Sequence, residues 1–287
     1  MLFIAGFLVV IGAVMGGYMG AGGHVEVLWQ PLEFVIIFGA GIGAFLIAFP
    51  MTVVKGVLGN LGKLIKGAKY SSTSYLELLS CQYTLFKLAK SKGDLALESH
   101  IENPHESSLF NQFPGFAHDH HALEFMCDYL RMLTLGTSNA FEVEAIMDAE
   151  LEIHHEETGA ISGALATLGD SLPALGIVAA VLGIIHTMGS ITEPPEVLGH
   201  LIGAALVGTF SGILFSYGFV TPMALSLGST FAEESNYFLC IKAGIIAHMQ
   251  GYAPQVSIEF ARKTIPSHVR PSFKELEEAI QDAGKVE

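Results

Sequence analysis

The sequence predicts an all-α membrane protein: four transmembrane helices, a large helical cytoplasmic domain between the second and third, and a cytoplasmic C-terminal tail. Three observations carry this. Only 15% of the 287 residues are charged, against about a quarter in an ordinary soluble domain, and the mean hydropathy is +0.50. Four runs lack Asp, Glu, Lys and Arg over a length that can span a bilayer, for which about 20 residues are needed: Met1–Val25, Phe34–Val54, Ser171–Thr192 and Val197–Ala232. All 14 Lys and Arg residues fall in two segments, one between the second and third runs and one after the fourth.

The first run has no basic segment ahead of its apolar stretch, so it is expected to be a retained helix and not a cleaved secretory signal. The connection around His24 to Glu33 carries acids and proline but no base, as does the one around Glu193 to Glu196. Basic residues favour the cytoplasmic side of short flanking segments. Both connections are therefore expected outside and both termini inside. The resulting division is 1–54 for spans one and two, 55–165 for the cytoplasmic helical domain, 166–227 for spans three and four, and 228–287 for the tail.

Within the insert, Tyr75–Ala89 reads as helical through Leu78, Leu79, Leu85, Phe86 and Leu88. Ala122–His155 reads the same way through Leu123, Met126, Leu130 and Leu133. Asp94 to Glu157 holds 14 acidic residues and one basic residue, Arg131, and the whole chain has a formal net charge of -14. Nucleic acid is excluded as a partner, because nothing here would neutralise a phosphate backbone. Cys81, Cys127 and Cys240 have no C-x-x-C spacing, which leaves reduced structural thiols.

Small or kinking residues repeat on one face of span three: Gly169, Pro173, Gly176, Ala180, Gly183 and Thr187. Ala205, Thr209, Gly212 and Ser216 do so in span four. Such faces let helices approach closely and let hydroxyls bond across the contact. They serve either plain packing or a narrow polar path. Pro173 and Pro222, near the inner ends of spans three and four, each remove a backbone donor, giving static bends or hinges. Ion routes need an ionisable group near mid-depth. The spans are read as containing none except His186 near an outer end, with Glu33 and Asp170 at span edges. The ion-binding carboxylate is therefore expected from another polypeptide.

His118, Asp119, His120 and His121 form one cluster, and His154 with His155 a pair. Neither has the spacing of H-E-x-x-H, so solvated or core histidines are expected and no metal. A membrane enzyme using a metal there is the alternative they leave open. Gly16, Gly17, Gly20, Gly22 and Gly23 belong to an apolar span or its turn. With no G-x-S-x-G and no phosphate loop, no catalytic residues or cofactor are expected.

Two longer segments, GDSLPALGIVAAVLGIIHTMGSI (Gly169–Ile191) and LVGTFSGILFSYGFVTPMA (Leu206–Ala224), resemble the paired third and fourth helices of the MotA family of flagellar motor stator proteins. So do IENPHES (Ile101–Ser107), GYAP (Gly251–Pro254), EFARKTI (Glu259–Ile265) and RPSFKELE (Arg270–Glu277), in order along nearly the whole chain. The resemblance implies a bacterial inner-membrane subunit, five copies of which ring a dimer of MotB. That partner carries the ion-binding aspartate and the cell-wall anchor. It also implies coupling roles for Pro173 and Pro222, an ion path beside Thr209, and contact with the rotor protein FliG through Lys90 and Glu98. Lysine stands at position 90 where relatives usually have arginine, with Lys92 close by. Sodium-type relatives carry a threonine where this chain has Ala180, so the implied coupling ion is H+. An energy-coupling subunit of the ExbB or TolQ kind is the alternative, although those relatives typically have three spans.

Overall fold

The structure, a computed structural model, describes residues 2–283; Lys285, counted above among the tail cations, lies outside them. Every regular element among the described residues is helical. The first part of the chain forms α1 (Leu2–Gly20), a single turn α2 (Val25–Leu28), α3 (Pro31–Ala48), α4 (Met51–Asn60) and α5 (Lys63–Lys66). The insert forms α6 (Ser72–Lys92), short α7 (Glu98–Ile101) and α8 (Pro114–Ala117), and α9 (His120–Thr134). Two long helical stretches follow: α10 (Ala140–Met188), then α11 (Pro195–Phe215) joined by a π-helical turn, Ser216–Val220, to α12 (Thr221–Met249). The tail forms α13 (Pro254–Thr264) and α14 (Phe273–Ala283).

Among the described residues, four helical stretches are long and apolar enough to cross a membrane: Leu2–Gly20, Val25–Ala48, Ala140–Met188 and Pro195–Met249. The last two have 49 and 55 residues. At 1.5 Å per residue they far exceed a hydrocarbon core of about 30 Å, so each extends beyond it.

The sequence reading is corrected at three boundaries. The second span begins at Pro31, not Phe34, because a proline is well suited to a helix's first turn. It stops at Ala48, since Pro50 forces Phe49 into an extended conformation (φ -123°, ψ 143°) and α4 starts anew. The single helix expected over Ala122–His155 is two, parted at residues 135–139 where Gly136 has φ +93°.

The chain divides into two compact units. The first comprises residues 1–67 and 157–230; the second, residues 68–156 and 231–287. In the first unit, α10 and α11 meet backbone to backbone. A Cβ on Gly176 would lie 2.8 Å from the Gly208 carbonyl oxygen, and one on Gly212 would lie 2.6 Å from the Leu172 carbonyl oxygen. Membrane helices gain nothing by hiding from apolar lipid, so such close van der Waals contact is what holds them together. Ile37 of α3 packs into the same layer with Leu172 and Ala179. Phe38 meets Phe215 edge-on at 4.8 Å, and Phe7 of α1 meets Phe219 at 4.6 Å.

The second unit has a conventional aliphatic and aromatic core. Leu78, Leu79, Leu85 and Phe86 of α6 pack with Leu123, Met126 and Leu130 of α9, Ile241 and Ile245 of α12, and Ile258 of α13. Tyr70 stacks on Tyr237 at 3.7 Å and donates its hydroxyl to Asp119 at 2.7 Å. Gln82, fully buried, donates to the Ile241 carbonyl at 2.9 Å. Cys81, Cys127 and Cys240 are free and buried. Burial pushes the Cys127 thiol up to about 12, so it stays protonated and inert.

Gly212→Val places a branched side chain against the Leu172 carbonyl, and overpacking of this kind costs about 1–3 kcal/mol. The variant is expected to melt earlier in detergent than wild type, while Gly159→Val, where nothing lies within 4 Å, is expected to match it.

Candidate functional site

The residues singled out in the membrane helices gather along the contact of α10 with α11. Ala180, 6% exposed, places its backbone nitrogen 3.1 Å from where a Gly208 side chain would begin. Thr209 follows Gly208 directly and is only partly buried. Among the fourth-helix residues that meet α10 are Ala205, Gly208 and Gly212, and Thr209 shares their face, four residues after Ala205 and three before Gly212. Gly176 and Gly183 of the third-helix pattern lie in the contact, Gly183 against Ala205.

The two prolines occupy different settings. Pro173 lies inside α10, which continues through it, and Pro222 is exposed at the second position of α12, just after the π-helical turn. Pro173 offers no N–H to the carbonyl of Gly169. Gly169 itself packs against Thr221, the residue before Pro222, with a Cβ there only 2.7 Å from Thr221 Oγ1. The surroundings of both prolines thus touch. Ser216 Oγ and Thr221 Oγ1 are buried here with no hydrogen-bond partner, and each such buried orphan calls for a water, an ion or a function.

Glu33, expected at a span edge, stands in the first turn of the second span, with its side chain turned toward the neighbouring helices. Glu33 is the third residue of α3 and lies inside the apolar stretch Val25–Ala48. Its carboxylate enters a notch formed by two glycines: a Cβ on Gly183 would be 3.2 Å from Oε1, and one on Gly208 would be 2.9 Å from Oε2. His200, within α11, is a second ionisable residue that the reading passed over. Pro31, a helix-start signal in the sequence, places Glu33 inside the helix and not before it.

In the second unit, Lys90 ends α6 and Glu98 begins α7, with Gly93 (φ +87°) and the 3-10 turn Asp94–Leu97 between them. Lys90, Lys92 and Glu98 are all exposed. Lys90 Nζ donates to the Gly251 carbonyl at 3.3 Å, and neither Lys92 nor Glu98 forms an ion pair among the described residues. Lys90 also lines a cleft of about 480 Å³ with Asp94, Thr137, Ser138 and His248. His248 stacks on Phe86 at 4.6 Å and faces Asp94 at 3.6 Å. Other charges are already paired: Arg131 bonds Glu102 at 2.8 Å and Asp128 at 2.6 Å, and Lys242 bonds Asp148 at 2.5 Å.

The histidine cluster is taken up locally. His118 pairs through Nδ1 with the Pro114 carbonyl at 2.5 Å, and Asp119 caps α9 while binding Tyr70 and Lys69. His120 meets His105 edge-on at 5.2 Å. No group of three or more potential metal ligands stands together among the described residues.

This is a multi-pass helical membrane protein whose long helices meet through glycines beside buried, unpartnered polar atoms, and whose second unit presents exposed charges at the end of a helix. Residues 4–93 match the family model for the N-terminal part of motility protein A, and residues 118–238 match that of the MotA/TolQ/ExbB proton channel family. The chain is 46% identical to Motility protein A of Escherichia coli and 45% identical to that of Salmonella typhimurium. Each match covers 98% of this chain and 95% of the relative. It is similar to a chain of the flagellar MotAB stator complex from Bacillus subtilis, with a TM-score of 0.75 and 26% identity over 94% of this chain and 98% of that one. The chain belongs to the MotA/TolQ/ExbB proton channel family, among its motility A proteins.

His100, two residues beyond Glu98, pairs with the Ser107 hydroxyl at 2.8 Å, and burial lowers its pKa below the usual 6.5. Between 6.5 and the lowered folded value the unfolded chain binds more protons than the folded one, so stability falls as pH drops through that window and is unaffected above it. His100→Asn is expected to flatten that loss in thermal melts of the purified protein at pH 5 to 7.5; an unchanged slope contradicts it.

Proposed function

We propose that this chain is a stator subunit of a bacterial flagellar motor. With MotB it forms a proton-conducting complex of the inner membrane that turns ion flow into torque. The near end-to-end match to the motility A relatives carries this reading. The four apolar stretches, all attributed to one chain, favour it over an ExbB or TolQ relative. Five copies around two of MotB, with both termini and the second unit in the cytoplasm, is the arrangement we infer from the one-sided Lys and Arg distribution and the resemblance.

Protons pass along the faces of Ala180 and Thr209 to the aspartate of MotB and leave toward the cytoplasm near Pro173 and Pro222. Ala180 offers a methyl group and no oxygen to a dehydrated sodium ion, which favours H+ as the coupling ion. The unpartnered hydroxyls of Ser216 and Thr221 supply polar atoms next to Pro222. Neutralising and recharging the aspartate changes its fit to successive subunits. One charge crossing 100 mV releases about 2.3 kcal/mol, which suffices to bias a small rigid-body step between near-equivalent states.

Torque reaches FliG through Lys90 and Glu98. Both project into solvent, and Glu98 has no partner of its own to give up. Lys90 provides a point charge without the bidentate fork of arginine. The acidic surroundings, 14 acids against Arg131 between Asp94 and Glu157, favour basic rotor positions opposite Glu98.

Expression in a motile host lacking its own motility A protein, together with the cognate MotB, is expected to restore swimming. Swimming should persist when sodium is replaced by potassium at a fixed proton gradient, and its loss there would overturn the proton assignment. Glu98→Lys is expected to reduce swimming, with recovery on charge reversal in the rotor; motility indifferent to Glu98→Lys counts against the contact.

A further inference from the structure

The acid inside the second span has no assigned task. Its Oε2 is shut off from solvent and has no hydrogen-bond partner, although a carboxylate oxygen in such a place is costly. No lysine or arginine occurs in residues 1–54 or 132–241, so a structural ion pair with a neighbouring span is not its role. Glu33 as a whole is part-exposed, and its carboxylate lies against Gly183 and Gly208, with Ala205 beside Gly183 and Ala179 and Ala180 across Gly208. These residues contribute hydrogens, methyls and backbone and no side-chain oxygen of their own to the shell of a dehydrated metal cation. The ligand that fits an isolated carboxylate oxygen in that notch is a proton. The notch also adjoins the residues assigned to the ion path, since Gly208 touches Ala180 and precedes Thr209.

We propose that Glu33 is a proton-binding carboxylate of the ion route itself, supplied by this chain on the outer side and loaded before the partner's aspartate. This rests on the proton-conducting role given above. The two glycines make the site possible: any larger side chain at position 183 or 208 would displace the carboxylate. Through Gly208, a change in its protonation acts on the α10–α11 contact as well as on the passing proton.

The titratable groups on the elements packed around α3 are Glu26 on α2, Asp170 and His186 on the membrane stretch of α10, and Glu196 and His200 on α11. None is joined to Glu33 by a hydrogen bond or ion pair among the described residues. All remain in a Glu33→Gln variant, which keeps the size and removes the titration.

The test uses the full complex with its cognate partner. In cells, Glu33→Gln is expected to swim several-fold more slowly than wild type at alkaline external pH, where loading limits the rate, with a smaller deficit at acidic pH. Glu33→Asp is expected to restore part of the speed. In the purified complex, infrared difference spectra between acidic and alkaline pH are expected to show a protonated carboxyl band that Glu33→Gln lacks and Glu33→Asp shifts. Wild-type speed of Glu33→Gln at every pH, or a band indifferent to both substitutions, overturns the proposal. If Glu33→Gln does not assemble, the response of the band to Glu33→Asp decides alone. Failure of the wild-type chain to support swimming would instead sink the stator reading, so the two failures are distinguishable.

Discussion

The close approach of α10 and α11 is the constraint on which the first unit depends. Gly176 and Gly212 let one backbone rest on the other, with Gly212 against the Leu172 carbonyl and Gly176 against that of Gly208. In lipid there is no water to expel from between two apolar helices, so the energy of the pair is the sum of short contacts. Those contacts also fix chemistry. They bury Ala180, leave room at Gly183 and Gly208 for the Glu33 carboxylate, and set Gly169 on Thr221 beside Pro222.

The second unit is held by a different physics. Its core is an aliphatic and aromatic cluster, and its few cations are mostly engaged: Arg131 with Glu102 and Asp128, Lys242 with Asp148 and Glu144. Many acids of the insert are left facing solvent, which keeps the surface soluble and strongly negative. Against that background an exposed basic group such as Lys90 or Lys92 is locally distinctive, and salt screening of its encounters is expected to be pronounced.

Much of this was legible in the sequence. The spans announced themselves because charges in a bilayer are costly, and the helix Tyr75–Ala89 because its leucines recur at helical spacing; the structure extends it to Ser72–Lys92. The glycine repeat on α10 was read in the right register. Three things were hidden. Glu33 was placed at a span edge, but that its carboxylate turns into the notch at Gly183 and Gly208 could not be read, because a position along a helix does not fix where a side chain packs. Gly208 stood outside the small-residue repeat read on α11, yet it meets Ala179 and Ala180 of α10, which only packing reveals. The break at Gly136 needs a backbone angle of +93°, which glycine permits but does not announce.

The π-helical turn Ser216–Val220 has a geometric consequence for the fourth span. A π-turn holds one residue more than an α-turn, so every side chain after it is rotated by about 100° relative to an unbroken helix. A helical wheel drawn straight through residues 195–249 would therefore assign Pro222 and Leu227 to the wrong side. The two lengths of this helix carry separate registers. A shift of the extra residue by a few positions would rotate only the side chains between its old and new places by about 100°, moving them to another face while both ends of the helix stay put and no residue leaves the helix.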